Sequence, residues 1–138
     1  MEIGIQLDEG AVVPRKAHPA DAGFDLYSPV DKYINYGSYA VIDTGVHFDI
    51  PNGWCGLLVS KSGLYFKNGL KTTGLIDSEY TGSVRVRIDN PVSSGPYIVN
   101  AGDKISQIIF LPVPEVSLVL RDMPETERGD NGFGSTGR

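Results

Sequence analysis

The chain has 138 residues, 41% of them hydrophobic, enough for one domain with a real core and too few for two ordinary ones. A formal net charge of −5 argues against a broad nucleic-acid interface, since counterion release needs a basic face, but leaves room for a small anionic ligand reconciled with carboxylates by Mg²⁺. No apolar run reaches the roughly eighteen residues of a membrane span and none follows a basic flank, so a cytoplasmic chain with no membrane partner is expected; the single cysteine, Cys55, excludes an internal disulfide or a Cys-based zinc framework and reads as a small buried hydrophobe.

Along the chain, apolar residues alternate at Ile3, Ile5 and Leu7, then at Val46, Phe48 and Ile50, then at Val84, Val86 and Ile88, which predicts half-buried strands. Continuous apolar stretches at residues 57–59 and 105–113 suit strands covered on both faces, with residues 116–120 another candidate strand. Gly and Pro breaks recur every eight to twelve residues or so, the rhythm of an all-β sandwich or barrel. One short helix is expected over residues 62–67, with Ser62 capping its first turn. His18, in a loop before a proline, and His47, on the strand face opposite Val46 and Phe48, are read as exposed, and Trp54 as core or subunit contact.

The chain ends in RGDNGFGSTGR, residues 128–138. This stretch has Phe133 as its only large apolar side chain, too little to order itself, so a body at residues 1–123 followed by a hinge and mobile arm at 124–138 is the expected organisation. The arm nevertheless carries phosphate-binding chemistry. Its glycines let backbone N–H groups converge on an anion, Ser135 and Thr136 add hydroxyls, Arg128 offers a planar fork, and Phe133 a flat face for a base.

Four further polar, Gly-bearing segments stand out: residues 22–28 (AGFDLYS), 60–64 (SKSGL), 74–82 (GLIDSEYTG) and 102–108 (GDKISQI). Asp77 in the third lies in a turn between apolar patches, where a carboxylate can take a proton from water. Ser62 and Gly63 begin the short helix, where unpaired N–H groups favour an anion. Gln107 interrupts an apolar strand, and a buried amide needs a partner, whereas Asp103 and Lys104 are read as shaping a turn.

With the arm, these five segments in this order resemble the trimeric dUTPases over nearly the whole chain. The resemblance implies a jelly-roll-like β domain that hydrolyses dUTP to dUMP and pyrophosphate with Mg²⁺, as a homotrimer whose sites draw on three subunits. It implies that Asp77 is the general base and binds the 3′-OH, that Tyr80 packs on the deoxyribose, and that Gly74 and Ile76 contact substrate. Lys61, Ser62, Gly63 and Gln107 are implied to contact phosphate, Phe133 to stack on uracil, and Arg128, Gly134, Ser135 and Thr136 to close over the phosphates. Asp25 is implied either near metal-bound waters or in holding the second segment, and no side chain ligates the metal directly. Lys61, Tyr27 and Lys104 stand where arginine is frequent in the family, Glu79 stands where aspartate is, and the linker between the second and third segments, which leads into the expected uracil pocket, is short. Two other functions remain open at this point: a dCTP deaminase, which shares the fold, and a regulatory protein partner, as some phage-encoded relatives have.

Overall fold

The computed structural model describes residues 1–134 and Gly137, with the side chain of Ser94 left aside; Ser135, Thr136 and Arg138 lie outside the described residues. Among the described residues, ten strands, one short α-helix and a 3-10 turn (Val92–Ser94) make it an all-β fold: β1 (Gly4–Leu7), β2 (Phe24–Tyr27), β3 (Lys32–Ile34), β4 (Tyr39–Asp43), β5 (Val46–Asp49), β6 (Trp54–Val59), α1 (Ser62–Asn68), β7 (Thr73–Ile76), β8 (Arg85–Asp89), β9 (Tyr97–Val99) and β10 (Lys104–Pro112). All pairings are antiparallel, in a four-stranded sheet ordered β2-β10-β6-β7 and the pairs β1-β5, β3-β9 and β4-β8.

Alternation produces the core. In β4 and β8, Ala40 faces Ile88 and Ile42 faces Val86, and these four side chains are buried while Tyr39, Val41, Arg85 and Arg87 face outward. Val46, Phe48 and Ile50 are likewise buried. Sequence alternation had not singled out β4, two of whose three outward positions are Tyr39 and Val41, with a charge only at Asp43. β1 buries less than its alternation predicts: Ile5 is exposed, because this strand pairs with β5 alone and packs at the margin.

β10 is the centre of the fold, bonded to β2 along one edge and β6 along the other. Ile105, Ser106 and Ile108 are buried, but Leu111 and Val113 are exposed, so only the first part of the apolar stretch is covered on both faces. β6 begins at Trp54, ahead of the expected run, because Trp54 and Cys55 pair with Pro112 and Leu111. Cys55 is half-buried, not enclosed.

The expected strand at residues 116–120 does not form. Leu118 is 96% exposed, and its neighbours Val116, Val119 and Leu120 also face solvent. Apolar alternation makes a strand only where a partner edge accepts its N–H and C=O groups, and among the described residues this segment has none. After Val113, whose N–H donates to the Gly53 carbonyl at 2.7 Å, the chain runs along the outside.

Candidate active site

Asp25 sits mid-strand in β2, 3% exposed, opposite Gln107 of β10. Its Oδ1 accepts a hydrogen bond from Lys61 Nζ and its Oδ2 one from Lys104 Nζ at 3.0 Å. Burial works to raise its pKa, but the hydrogen bonds and charges of Lys61 and Lys104 outweigh it and hold the carboxylate below its usual range. The same pair raises Lys104 above the ordinary lysine value, through its hydrogen bond to Asp25 first and their opposite charges second. One buried carboxylate therefore lies between two ammonium groups, leaving the cluster a net cation. Sequence reasoning read Lys104 as a turn residue and missed this contact; the signal was its place one strand across from the Asp25 strand, visible only once register is known. Asp103 does shape the turn, its carboxylate accepting from the Asn100 N–H at 2.8 Å.

Gln107, half-buried between Asp25 and Val59, donates from Nε2 to the Ser60 carbonyl at 3.3 Å. A side chain at Gly23 would put its Cβ 2.8 Å from Gln107 Oε1, so the glycine of the first segment is what lets β2 lie against this amide. Behind it, three hydroxyls lock β6, β7 and β10: Ser60 Oγ donates to the Thr72 carbonyl at 3.1 Å, Thr72 Oγ1 and Ser106 Oγ are 2.9 Å apart, and Ser106 Oγ donates to the Val59 carbonyl at 3.0 Å.

Ser62 is not the cap that its position suggested. Lys61 occupies the N-cap, with no side-chain capping bond, and Ser62 is the first helical residue, exposed beside exposed Gly63. The lysine is held instead by its bond to Asp25, which sets where the helix starts. Gly69 ends it at φ 68°, donating to the Tyr65 carbonyl at 2.8 Å.

The third segment lies elsewhere. Gly74 pairs with Leu58, Ile76 closes β7 opposite Gly56, and Asp77 follows, exposed at the edge of a groove lined by Gly53, Trp54, Cys55, Ser78 and Glu115. The turn after it is tight: Tyr80 N–H donates to the Asp77 carbonyl at 3.1 Å and its hydroxyl to the Ser83 carbonyl at 3.0 Å. Tyr80 folds over Gly82 so closely that a Cβ there would lie 2.6 Å from the phenol oxygen. Glu79 points to solvent. A separate, largely apolar groove of about 400 Å³, lined by Ile3, Phe24, Phe48, Trp54 and Phe110, holds none of these polar groups.

The strand pair sets the spacing. Lys61 follows the Val59↔Thr73 end of β6–β7, and Asp77 follows the Gly56↔Ile76 end beside Cys55. At about 3.3 Å per residue, the six residues of β6 put the two groups on the order of 15–20 Å apart. Among the described residues, those of 124–138 join neither. Arg128 Nε donates to the Asn131 carbonyl at 2.8 Å, Phe133 is 114% exposed at φ 51°, and Gly134 follows at φ 89°. Ser135 and Thr136 fall outside the described residues. The chain therefore holds Asp25, Lys61, Lys104 and Gln107 as one group, Asp77 and Tyr80 as a second, and the arm as a third.

His18 is exposed, as expected, but His47 is not. Its side chain is only 23% exposed, because the loop after Asp77 and the residue after β1 close over it.

A family model described as dUTPase matches residues 9–137, and the chain belongs to that family. A Corynebacterium efficiens deoxyuridine 5′-triphosphate nucleotidohydrolase is 40% identical over 138 residues, covering 97% of this chain and 76% of that one. The Staphylococcus bacteriophage 80alpha dUTPase solved with dUPNHPP, described as acting by a proto-oncogenic G protein-like mechanism in the transfer of virulence genes, superposes with a TM-score of 0.89 at 30% identity over 99% of both chains. A phage phi11 dUTPase mutant, described as coordinating a structural Mg(II) ion, superposes at 0.80 with 28% identity, over 93% of this chain and 99% of that one. The expected jelly-roll-like architecture is the one shared with these enzymes.

Proposed function

We propose that this chain hydrolyses dUTP to dUMP and pyrophosphate, with Asp77 as the base and with each site completed by three copies of the chain. The observation that carries the mechanism is the separation of Asp77 from the Asp25–Lys61–Lys104 cluster by the length of a rigid strand pair. Asp77 of one copy faces the cluster of another, and residues 124–138 of a third act as the arm. Asp77 takes a proton from water as the water oxygen bonds to the α-phosphorus; the bond from that phosphorus to the β-bridging oxygen breaks, and pyrophosphate leaves. Lys61, Ser62, Gly63, Gln107 and Arg128 stabilise the charge that builds on the phosphate oxygens, Tyr80 backs the sugar, Gly74 and Ile76 line its pocket, and Phe133, Gly134, Ser135 and Thr136 close over base and phosphates.

The donor set fits a metal carried on the triphosphate rather than caged by the chain. Both oxygens of Asp25 face ammonium groups, and among the described residues no three His, Cys, Asp or Glu side chains cluster. Mg²⁺, when bound, supplies positive charge to the phosphates. A cytoplasmic reaction belongs to this reading and rests on the likeness to the dUTPases; separately, no described helix is long and apolar enough to cross a membrane. The likeness to the 80alpha enzyme favours a second role, binding of a regulatory protein partner, which a stable hetero-complex perturbed by dUTP would reveal.

Pyrophosphate release from dUTP, with dCTP, dTTP and UTP as controls, tests the reading. Wild type is expected to act on dUTP alone and Asp77→Asn to lose about three orders of magnitude or more in kcat. Mixing Asp77→Asn with a second inactive variant, Lys61→Met, and reassembling them is expected to restore part of the activity, since some mixed sites then hold one intact copy of each group. No restoration would sink the shared site.

A further inference from the structure

His47 lies on β5 and takes no part in the groups described above, yet both its ring nitrogens are engaged. Nδ1 is 2.8 Å from the Thr81 carbonyl oxygen and Nε2 is 3.0 Å from Asp8 Oδ1. A carbonyl oxygen only accepts, and so does a carboxylate. A neutral imidazole carries one N–H and can satisfy only one of them, so the arrangement calls for the imidazolium, which donates to both.

What the ring joins matters for catalysis. Thr81 sits between Tyr80 and Gly82 in the loop that begins at Asp77, and Asp8 follows β1. The far end of that loop is fastened by backbone and hydroxyl bonds: Ser83 Oγ donates to Asp43, Thr44 Oγ1 donates to the Val84 carbonyl at 2.7 Å, and Val84 N–H donates to the Val46 carbonyl at 2.8 Å. Closer to Asp77 the loop is held to the body by an exposed bond from Ser78 to Asn52 at 3.2 Å and by His47. We propose that His47, as an imidazolium, is a positioning residue for hydrolysis: it clamps the Asp77 loop to the β1–β5 pair, and the clamp opens when the ring loses its proton.

The groups facing the ring agree on the sign. From β1 comes Gln6, directly opposite in the register, and just after β1 comes Asp8; from β4 comes Asp43, itself shared with Ser83 and with Arg85 of β8 at 3.8 Å; along β5 the next outward residue is Asp49. The Thr81 bond first, then the Asp8 bond, with the charges of Asp8 and Asp43 behind them, hold the ring's pKa above the usual histidine value against a smaller opposing effect of burial. A raised folded value means that the clamp is fully present below the ordinary histidine range and is lost as pH rises through the folded value.

The test joins proton NMR of the two histidines to the pH dependence of kcat, using the full chain. His18, exposed in its loop, is the internal reference. In wild type, His47 is expected to titrate above the ordinary histidine value with both nitrogens protonated on the acid side, and kcat to fall about five- to tenfold across that titration as the loop is released. Asp8→Asn should move the NMR midpoint and the kcat midpoint to lower pH together, and His47→Gln should abolish the alkaline fall at the lower plateau. A His47 midpoint at or below the ordinary histidine value, or a kcat profile whose midpoint does not follow the ring in Asp8→Asn, would overturn the proposal. The inference rests on Asp77 as base, and the two fail separately: an active Asp77→Asn enzyme removes the base but leaves the NMR result standing.

Discussion

The cluster at Asp25 makes a prediction whose size changes with pH. Removing either lysine leaves the buried carboxylate one cation, and the remaining ammonium can move between its two oxygens. Removing both, in Lys61→Met/Lys104→Met, leaves a carboxylate that is 3% exposed with no cation at all. An uncompensated buried charge costs about 3–5 kcal/mol, so the double variant should lose about 3 kcal/mol at pH 7 and exceed the sum of the singles by about 1–2 kcal/mol. In wild type the Asp25 pKa is lowered, so its contribution is present above the unfolded value and is lost as pH falls through the folded one. In the double variant only the effect of burial remains, which raises the pKa, so protonation relieves the penalty and the variant gains on wild type as pH falls from 7 towards 4.5. Urea unfolding at one fixed protein concentration, at both pH values, measures all four proteins. Additive losses, or a gap between wild type and double variant that stays constant from pH 7 to 4.5, would refute the argument that a single buried carboxylate organises both lysines.

Two more predictions concern the other groups. In Gly82→Ala the added methyl meets the Tyr80 ring, which must swing off the Ser83 carbonyl; losing that hydrogen bond costs about 1 kcal/mol, and the misplaced ring should raise KM for dUTP more than it shifts the melting temperature. Ending the chain before Arg128 removes a segment whose described residues are almost all exposed, Arg128 bonding only to Asn131 within it, so circular dichroism and melting temperature should stay within a degree or so of wild type while turnover collapses.

How much of this was legible depended on the range of the interactions involved. Alternation named Val46, Phe48, Val84, Val86 and Ile88 as inward positions, because burial of one strand face is written in a two-residue period. The same logic erred at residues 116–120, where the period is present but the partner edge is not. Residue type and turn position made Asp77, Ser62 and Gln107 candidates and the family resemblance gave them roles, yet the contacts that orient the site came from register. Lys104 reaches Asp25 because β10 lies beside β2, and His47 reaches Thr81 because β5 passes the loop after β7. Neither juxtaposition has a local signature. Ser62 shows the converse: a residue with the right chemistry for a cap is displaced by one position because the lysine before it is held by a long-range ion pair.

The division of the polar groups also limits how a complete site can arise. Closing the distance between Asp77 and Lys61 within one chain would mean bending β6 and β7 along the four paired positions that run from Gly56↔Ile76 to Val59↔Thr73, and β6 is further fixed by its six pairs with β10. Breaking such a ladder at the centre of the sheet forfeits several hydrogen bonds at about 1 kcal/mol each, together with the burial of Leu58 and Ile108. Association has no such cost and a ready driving force. The exposed apolar side chains of Val116, Leu118, Val119 and Leu120 amount to several hundred Å² of the kind of surface that isolated soluble chains seldom leave open. On the proposed reading, the sheet that keeps Asp77 apart from the Lys61 group in one copy makes a second copy the economical source of the missing half. Dilution should then abolish turnover with a steep dependence on protein concentration, while the far-ultraviolet spectrum of the dissociated chain is retained.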